Sequence, residues 1–525
     1  MFPLRPALLV SGFVLFAGSI LPAEEIISPL DIKFQRQAVH RLVFDKDQAI
    51  PLSMLRPANS VSLDIEHPVI PVSGGETHYA IQEGRLKASA SEVSESAIWV
   101  GGFNPFATYE VSFQESVGDG LQAGVEFATP DNRHRLMVLA EFQKNHCVAL
   151  HWRAFVDGLK PVDERVELEH PVENPFLFRV QLLGSGLNVF VEEHGVSRVI
   201  LTRNFSEILD LRRKEHIRTF EFRILTQLAA GQSVGINQAD SSLSTGVGQA
   251  DIRAMTYEDG SPILDGGRLW FTMSVRGRRL PHPMQGIFSL NPSVFDLRYE
   301  GVVVFDRGDG LLRNDMASHI FFDRNAKEWR GMTVGFSTTG DPGNTERKRI
   351  WVISSKRDPR FGFSVMKSWP VSMPIRGEDP HILFDSEVNK WRVLACSKGK
   401  VGWPATLYES ETWDGPYRLI AGPVDVNSTG VLLQKFGSQI YALFGSKDRQ
   451  FYVYSYPELN PLGALNMHRP PWNDTSNTRC WPNVIPLPEG YPAPYIALSM
   501  DRTNYSGLGG WTYGTLYLYH GFPVD

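Results

Sequence analysis

Cysteine is scarce. Three residues (Cys147, Cys396, Cys480) in a chain of 525 are an odd number spread over both halves, so no disulfide framework holds the fold together. They read as small buried apolar side chains. Clustered positive charge is also missing: 52 Lys and Arg stand against 58 Asp and Glu, a formal net charge of −6, with no basic block. Such a chain lacks the positive footprint of a nucleic-acid binder, and nucleic acid is not an expected partner. No Gly-rich phosphate loop, Walker-type lysine, Cys/His metal cluster or Gly-x-Ser-x-Gly elbow occurs, which argues against nucleotide, zinc and serine-hydrolase chemistry. Helical periodicity is nearly absent. The one helical segment expected is Phe205 to Arg218, capping an edge.

What is plentiful is turn residues and aromatics, with Gly 46, Pro 35 and 11% Phe, Trp and Tyr. That composition suits an all-β protein with many turns and rings available for stacking. The length allows two to four domains at roughly 100 to 200 residues each, and two are expected.

Met1 to Ala23 reads as a secretory signal. Arg5 supplies the positive region, about fifteen apolar or small residues follow, and Leu-Pro-Ala precedes Glu24-Glu25. A membrane anchor is the alternative, but the run is short for a span of about 20 residues. The mature protein is thus expected to be secreted or periplasmic, with no membrane association after cleavage. The triplets at Asn204, Asn427, Asn473 and Asn504 are glycosylation acceptors only in a eukaryotic secretory route.

From residue 24 to 240, alternating runs such as TYEVSFQES, HRLMVLAEF and LNVFVEEHG recur every 10 to 25 residues or so between Gly, Asp, Asn and Pro turns. The spacing predicts a two-sheet β-sandwich. In it, Trp99, Phe103, Phe106 and Trp152 are either stacking rings of a carbohydrate-binding module or core aromatics of a structural domain. Ser241 to Gln249 is small, polar and Gly-rich, a linker, and residues 250 to 525 form the second domain.

That second domain carries an internal repeat. His319-Ile-Phe-Phe-Asp323, five residues and Trp329 recur as His381-Ile-Leu-Phe-Asp385, five residues and Trp391. Each copy is an apolar run stopped by Asp, a turn, and a second run opening with Trp: the pattern of an antiparallel hairpin. Hairpins recurring every 50 to 70 residues or so predict propeller blades, because one four-stranded sheet buries both faces only when neighbours stack on it. Five segments fit: Asp251 to Asp306, His319 to Met373, Asp379 to Val426, Thr429 to Pro470, and Trp481 to Tyr519. The expected fold is therefore all-β, a β-sandwich (jelly roll) followed by a five-bladed β-propeller.

Inner strands of a propeller start at a central funnel, and Asp251 and Asp379 stand just ahead of the first and third inner strands. Two carboxylates from different blades can divide acid and base labour when their surroundings differ. In an inverting glycosidase such a pair stands about 6.5 to 9.5 Å apart, which suits opposite sides of a funnel.

On these residues the chain from roughly 245 to 525 resembles the five-bladed propeller glycosidases, glycoside hydrolase family 43 and its relatives in families 32, 62 and 117. Asp251 matches the aspartate that is the general base in family 43. Met316-Ala-Ser-His-Ile320 is similar to the Trp-Ala-Pro-x-Ile element, matching at Ala317 and Ile320. Asp379 in Glu-Asp-Pro-His-Ile matches the aspartate that tunes the acid and orients the sugar, and Thr412 to Tyr417 is similar to the turn before the fourth blade. The first half looks like jelly rolls of the concanavalin and laminin-G type, by pattern rather than motif.

The departures matter as much. Where the family carries its general-acid glutamate, this chain reads Asn427-Ser-Thr-Gly-Val431. The fifth-blade histidine is replaced by Arg479-Cys-Trp481-Pro-Asn483. The nearest substitutes for the acid are His319, Glu378 and His381; the two histidines are alternatively inter-blade backbone binders, and both aspartates strand-start residues in tight turns. Arg253, Arg479 and Asn483 are candidate ligand holders, and Trp403, Trp481 and Trp511 either stack on sugars or pack in the core. The resemblance implies no cofactor beyond room for a structural calcium ion at the propeller centre, for which no ligand set is legible.

Three functions remain open: an exported, exo-acting, inverting glycoside hydrolase on an oligosaccharide or polysaccharide side chain; a polysaccharide lyase with His319 or His381 as base and Arg479 or Arg253 holding a uronate; and a non-catalytic glycan-binding protein.

Overall fold

The computed structural model describes residues 27–41, 59–63, 67–280, 283–337, 346, 348–374, 377–470, 481–501 and 515–524. Met1 to Ala23, Arg479, Cys480 and Trp511 lie outside the described residues, as do Asn473 and Asn504. Among those described, no helix is long and apolar enough to cross a membrane.

The first domain is a sandwich of two antiparallel sheets. One has seven strands running in space from Leu159–Glu173 to Val69–Gly74, with Asp119–Ala128 and Glu221–Leu228 at its middle. The other runs from Val196–Asn204 to Thr77–Gln82, with Ala107–Val117 and Ser233–Leu243 at its middle, and Asn59–Ser62 pairs onto the latter. Strict alternation along the central strands sends Tyr109, Val111 and Phe113 from one sheet against Val125, Phe127 and Phe222 from the other. Phe103 and Trp152 join this core.

The helix expected over Phe205 to Arg218 shrinks to Lys214–Thr219. Leu209 and Leu211 are both buried, which a surface helix does not permit at that spacing, and Arg212 is pinned by the Asp210 carboxylate and reaches across to the Ser337 carbonyl.

The second domain is a ring of five four-stranded blades. The first comprises Gly248–Ala254, Arg268–Arg276, Met284–Asn291 and Asp296–Asp306, the second Met316–Asp323, Glu328–Val334, Ile350–Ser355 and Gly362–Pro370. Gly377–Asp385, Lys390–Ser397, Ala405–Ser410 and Arg418–Ala421 make the third, and Ser428–Phe436, Gln439–Ser446, Phe451–Tyr454 and Pro461–Ala464 the fourth. Three strands of the fifth are Asn483–Pro486, Tyr495–Met500 and Thr515–Pro523.

The fourth strand of the fifth blade corrects the sequence reading. Ile32–Arg41, expected in the sandwich, pairs antiparallel with Thr515–Pro523, from Ile32 opposite Pro523 to Arg41 opposite Thr515. Without it the last strand would be a bare edge. Phe34 and Ile32 are buried against Phe436, Tyr441 and Tyr519, so the strand adds core as well as hydrogen bonds.

Two further contacts stiffen the ring and seat the sandwich. The outermost strands of the first two blades pair in parallel, Gly301–Asp306 with Gly362–Lys367. Glycine is required at 301, since a Cβ there would lie 2.6 Å from the Gly362 carbonyl oxygen. Phe106 leaves the sandwich core to stack on Phe363 at 5.8 Å, and the Tyr299 hydroxyl donates to the Ser244 carbonyl at 2.6 Å. The residues expected to be a linker are thus packed between the domains.

Candidate functional site

Four of the five inner strands begin with the same irregularity. Their register against the second strand breaks between Ala250 and Arg253, Met316 and His319, Glu378 and His381, and Thr429 and Leu432. The first extra residue in each is left-handed: Asp251 (φ 56°), Ala317 (55°), Asp379 (54°) and Gly430 (59°). A left-handed non-glycine residue costs on the order of 1 kcal/mol, least for Asp, so its repetition marks a bulge that re-aims a side chain. Asp251 and Asp379 therefore hold equivalent places at the entries of the first and third blades. Two residues on, Arg253, His319, His381 and Leu432 occupy the next equivalent place, deeper in the ring.

The two carboxylates are held differently. Asp379 is 8% exposed, and its Oδ2 accepts from the Thr429 hydroxyl at 2.7 Å and the Gly430 N–H at 3.1 Å, tying the third blade to the fourth. Asp251 faces the Arg276 guanidinium at 3.6 Å. Both act on Arg253, which is fully buried; burial lowers its pKa to about 10 against the opposing pull of Asp379 and Asp251. One buried guanidinium thus feels both carboxylates.

The floor of the funnel is Trp481. It belongs to the fifth blade, yet it clusters with Met316, Ala317 and Val334 of the second, and a Cβ on Gly430 of the fourth would lie 2.2 Å from its ring. A side chain spanning those blades crosses the axis. Trp481 is 4% exposed, which favours the packing alternative for it over stacking on a sugar. The same contact leaves no room for a side chain at 430, inside the stretch Asn427 to Val431 that carries no carboxylate.

His319 and His381 are inter-blade connectors. His319 Nδ1 accepts the Ile382 N–H at 3.1 Å while its Nε2 faces the Thr256 hydroxyl at 3.1 Å, and His381 Nδ1 accepts the Leu433 N–H at 3.3 Å. Burial, then the Arg253 charge, holds His319 well below the usual imidazole range; burial, then His319 and Arg253, does the same for His381. With Nδ1 accepting, the His319 proton sits on Nε2, and neither nitrogen is free to take a proton from a substrate. His381 is equally buried and tied to the next blade, which favours the inter-blade alternative for both rings.

At the rim, Glu378 is ion-paired with Lys348, whose Nζ lies 4.4 Å from the Phe336 ring and 4.7 Å from that of Trp403. Trp403 is half-buried, and its backbone N–H donates to Asn427 Oδ1 at 3.0 Å. Asn483 is 1% exposed, and neither of its amide atoms has a hydrogen-bond partner among the described residues. Arg253 is no holder for a uronate, because it lies beneath Trp481. Sequence reasoning missed Lys348, Arg276 and Thr429; only Thr429, inside the stretch inspected for a glutamate, had a signal to follow.

A calcium ion does not fit the axis. The equivalent inner-strand places there hold Arg253, His319, His381 and Leu432, with Trp481 packed across, and no set of three acidic, His or Cys side chains able to hold a metal occurs among the described residues.

The sandwich offers fewer open rings than expected. Phe103, Phe106 and Trp152 are buried, and Trp99 alone is exposed, at 38%. The outer face of the seven-stranded sheet is closed by its own charges: Arg135 reaches Glu95, three strands away, at 2.7 Å, and Arg153 reaches Gln227 at 3.0 Å. A cavity of about 760 Å³ opens between the edge strands Val69–Gly74 and Thr77–Gln82, lined in part by His67, Tyr79, Ile81, Ser96 and Ile98.

No family model and no curated protein matches this sequence. Among solved structures, the chain is similar to a family 117 glycoside hydrolase from Zobellia galactanivorans at 12% identity, covering 53% of this chain and 87% of that one with a TM-score of 0.37. It is similar to a glycoside hydrolase family 43 β-1,3-galactosidase at 12% identity, over 50% of this chain and 56% of that one, TM-score 0.34. A β-glucanase from Bacillus licheniformis is similar at 11% identity, over 36% of this chain and 100% of that one, TM-score 0.26.

Proposed function

We propose that this protein is an exported glycoside hydrolase whose active centre is the funnel mouth between the first and third blades. The observation carrying this reading is that Asp251 and Asp379 occupy equivalent left-handed bulges at the entries of the first and third blades. Asp251, which faces the Arg276 guanidinium at 3.6 Å, is the general base that activates water. Asp379, fixed by Thr429 and Gly430, orients the sugar. The acid is non-standard, since Asn427-Ser-Thr-Gly-Val431 carries no carboxylate; Glu378, paired with Lys348 at the rim, is the carboxylate candidate. Because Trp481 packs across the second, fourth and fifth blades, entry of a glycan by one end, and so exo-action, fits this reading, and the displacement proposed is inverting.

The test is a panel of plant and algal glycans incubated with the purified protein, with release of reducing sugar as readout. Turnover lost in Asp251→Asn and Asp379→Asn supports the reading; turnover that persists in both, or an unsaturated product absorbing in the ultraviolet, sinks it. A non-catalytic glycan-binding protein is the second reading, favoured by the absence of a carboxylate from Asn427 to Val431. Binding by calorimetry with no product from the same glycan would select it.

A further inference from the structure

Around the axis, Arg253, His319, His381 and Leu432 fill equivalent places on four inner strands. Asn483 fills the fifth, following Trp481 by two residues as Arg253 follows Asp251, and pairing opposite Leu498. Three of these side chains are satisfied where they stand: His319 and His381 accept N–H groups from the next blade, and Leu432 packs in the core. The other two are left with polar atoms to place. Arg253 donates through Nη1 to the Val431 carbonyl of the fourth blade and lies 4.7 Å from the Trp481 ring of the fifth. The fifth blade stands between the fourth and the first in the closed ring, so the guanidinium passes in front of it, at the level of Asn483. Arg253 is fully buried and Asn483 is 1% exposed, yet Nε and Nη2 of the one and both amide atoms of the other have no hydrogen-bond partner among the described residues.

A buried cation calls for a counter-charge. No carboxylate among the described residues lies within ion-pair distance of Arg253: Asp251 faces Arg276 at 3.6 Å, and Asp379 is held by Thr429 and Gly430. Burial outweighs the pull of both and lowers the Arg253 pKa to about 10. The groups left over are donors, two guanidinium N–H groups and the Asn483 Nδ2–H, since an amide with neither atom committed can turn that end inward. Such a set repels a metal ion and suits an anion, and enclosure beneath Trp481 restricts it to a small one.

We infer that the propeller axis holds a monovalent halide, chloride in ordinary salt, bound by Nε–H and Nη2–H of Arg253 and Nδ2–H of Asn483. The anion joins the first blade to the fifth, the two between which the ring closes.

The test uses the full chain and no glycan, so its outcome is independent of the glycosidase reading. Thermal unfolding is followed as sodium chloride replaces sodium gluconate at constant ionic strength. Each tenfold rise in chloride above the dissociation constant raises the folded-to-unfolded ratio about tenfold, so the melting temperature climbs with the logarithm of chloride. Arg253→Met should lose that climb, as should Asn483→Leu, which puts in the fifth place the residue that the fourth already carries. Crystals soaked in bromide should show an anomalous peak within hydrogen-bond reach of Arg253 Nε and the Asn483 amide. A melting temperature indifferent to the exchange, a climb kept in full by both variants, or a position filled by water with no bromide overturns the inference. Should both variants fail to fold, the wild-type titration and the bromide map decide it.

Discussion

His319 and His381 lie ring on ring, centroids 4.0 Å apart and planes 12° from parallel, and each accepts an N–H from the inner strand of the following blade. Both folded-state pKa values lie below the unfolded value of about 6.5, so the unfolded chain binds protons first as the pH falls. The stability they contribute is complete above that value and declines below it. The melting temperature is expected to drop between about pH 6.5 and 5, and His381→Asn should flatten that slope. A slope that the substitution leaves unchanged rejects this account.

Asp379→Asn and Thr429→Ala probe the same hydrogen bond from two sides. If Asp379 orients the sugar, its substitution lowers kcat by roughly 100-fold or more, within the usual range for a positioned carboxylate. Thr429→Ala is expected to lower activity less while leaving the melting temperature nearly constant. Equal losses in stability for both variants would instead make the pair structural.

Gly430→Ala should be costly for its size. The position is left-handed and the added carbon would meet the Trp481 ring. Left-handed strain of about 1 to 2 kcal/mol and overpacking of about 1 to 3 kcal/mol together predict a clear fall in stability by denaturant titration. Trp481→Ala combined with Gly430→Ala should recover part of it.

Phe34→Ala tests the closing strand. Phe34 is 2% exposed among Phe436, Tyr441, Tyr495 and Tyr519, and truncating such a ring costs about 3 to 5 kcal/mol. Deleting residues 27–41 should do more, baring the Thr515–Pro523 edge; self-association seen by light scattering is the expected sign.

The hairpin repeat was legible because it is local. Asp323 accepts the Ala326 N–H at 2.9 Å and Asp385 the Glu387 N–H at 3.1 Å, turning each chain back so that Phe322 meets Trp329 and Phe384 meets Trp391. Spacing along the chain suffices to find such contacts. The shared place of Asp251 and Asp379 was legible for the same reason, since each is fixed by its own strand start. Ile32–Arg41 was not, because its alternation fits any half-buried strand and its partner lies at the other end of the chain. Nor were the Trp481 floor and the reach of Arg253 to Val431, which exist only once five blades close a ring.

The parallel seam between Gly301–Asp306 and Gly362–Lys367 welds two blades into a single continuous plate. Breathing of the ring, the sliding of one wedge past the next, is denied to that arc and must be taken up elsewhere. The arc also carries the sandwich through Phe363 and Ser337, so the appended domain stands on the rigid side of the wheel while the fifth blade, latched by a borrowed strand, is where it would first come open.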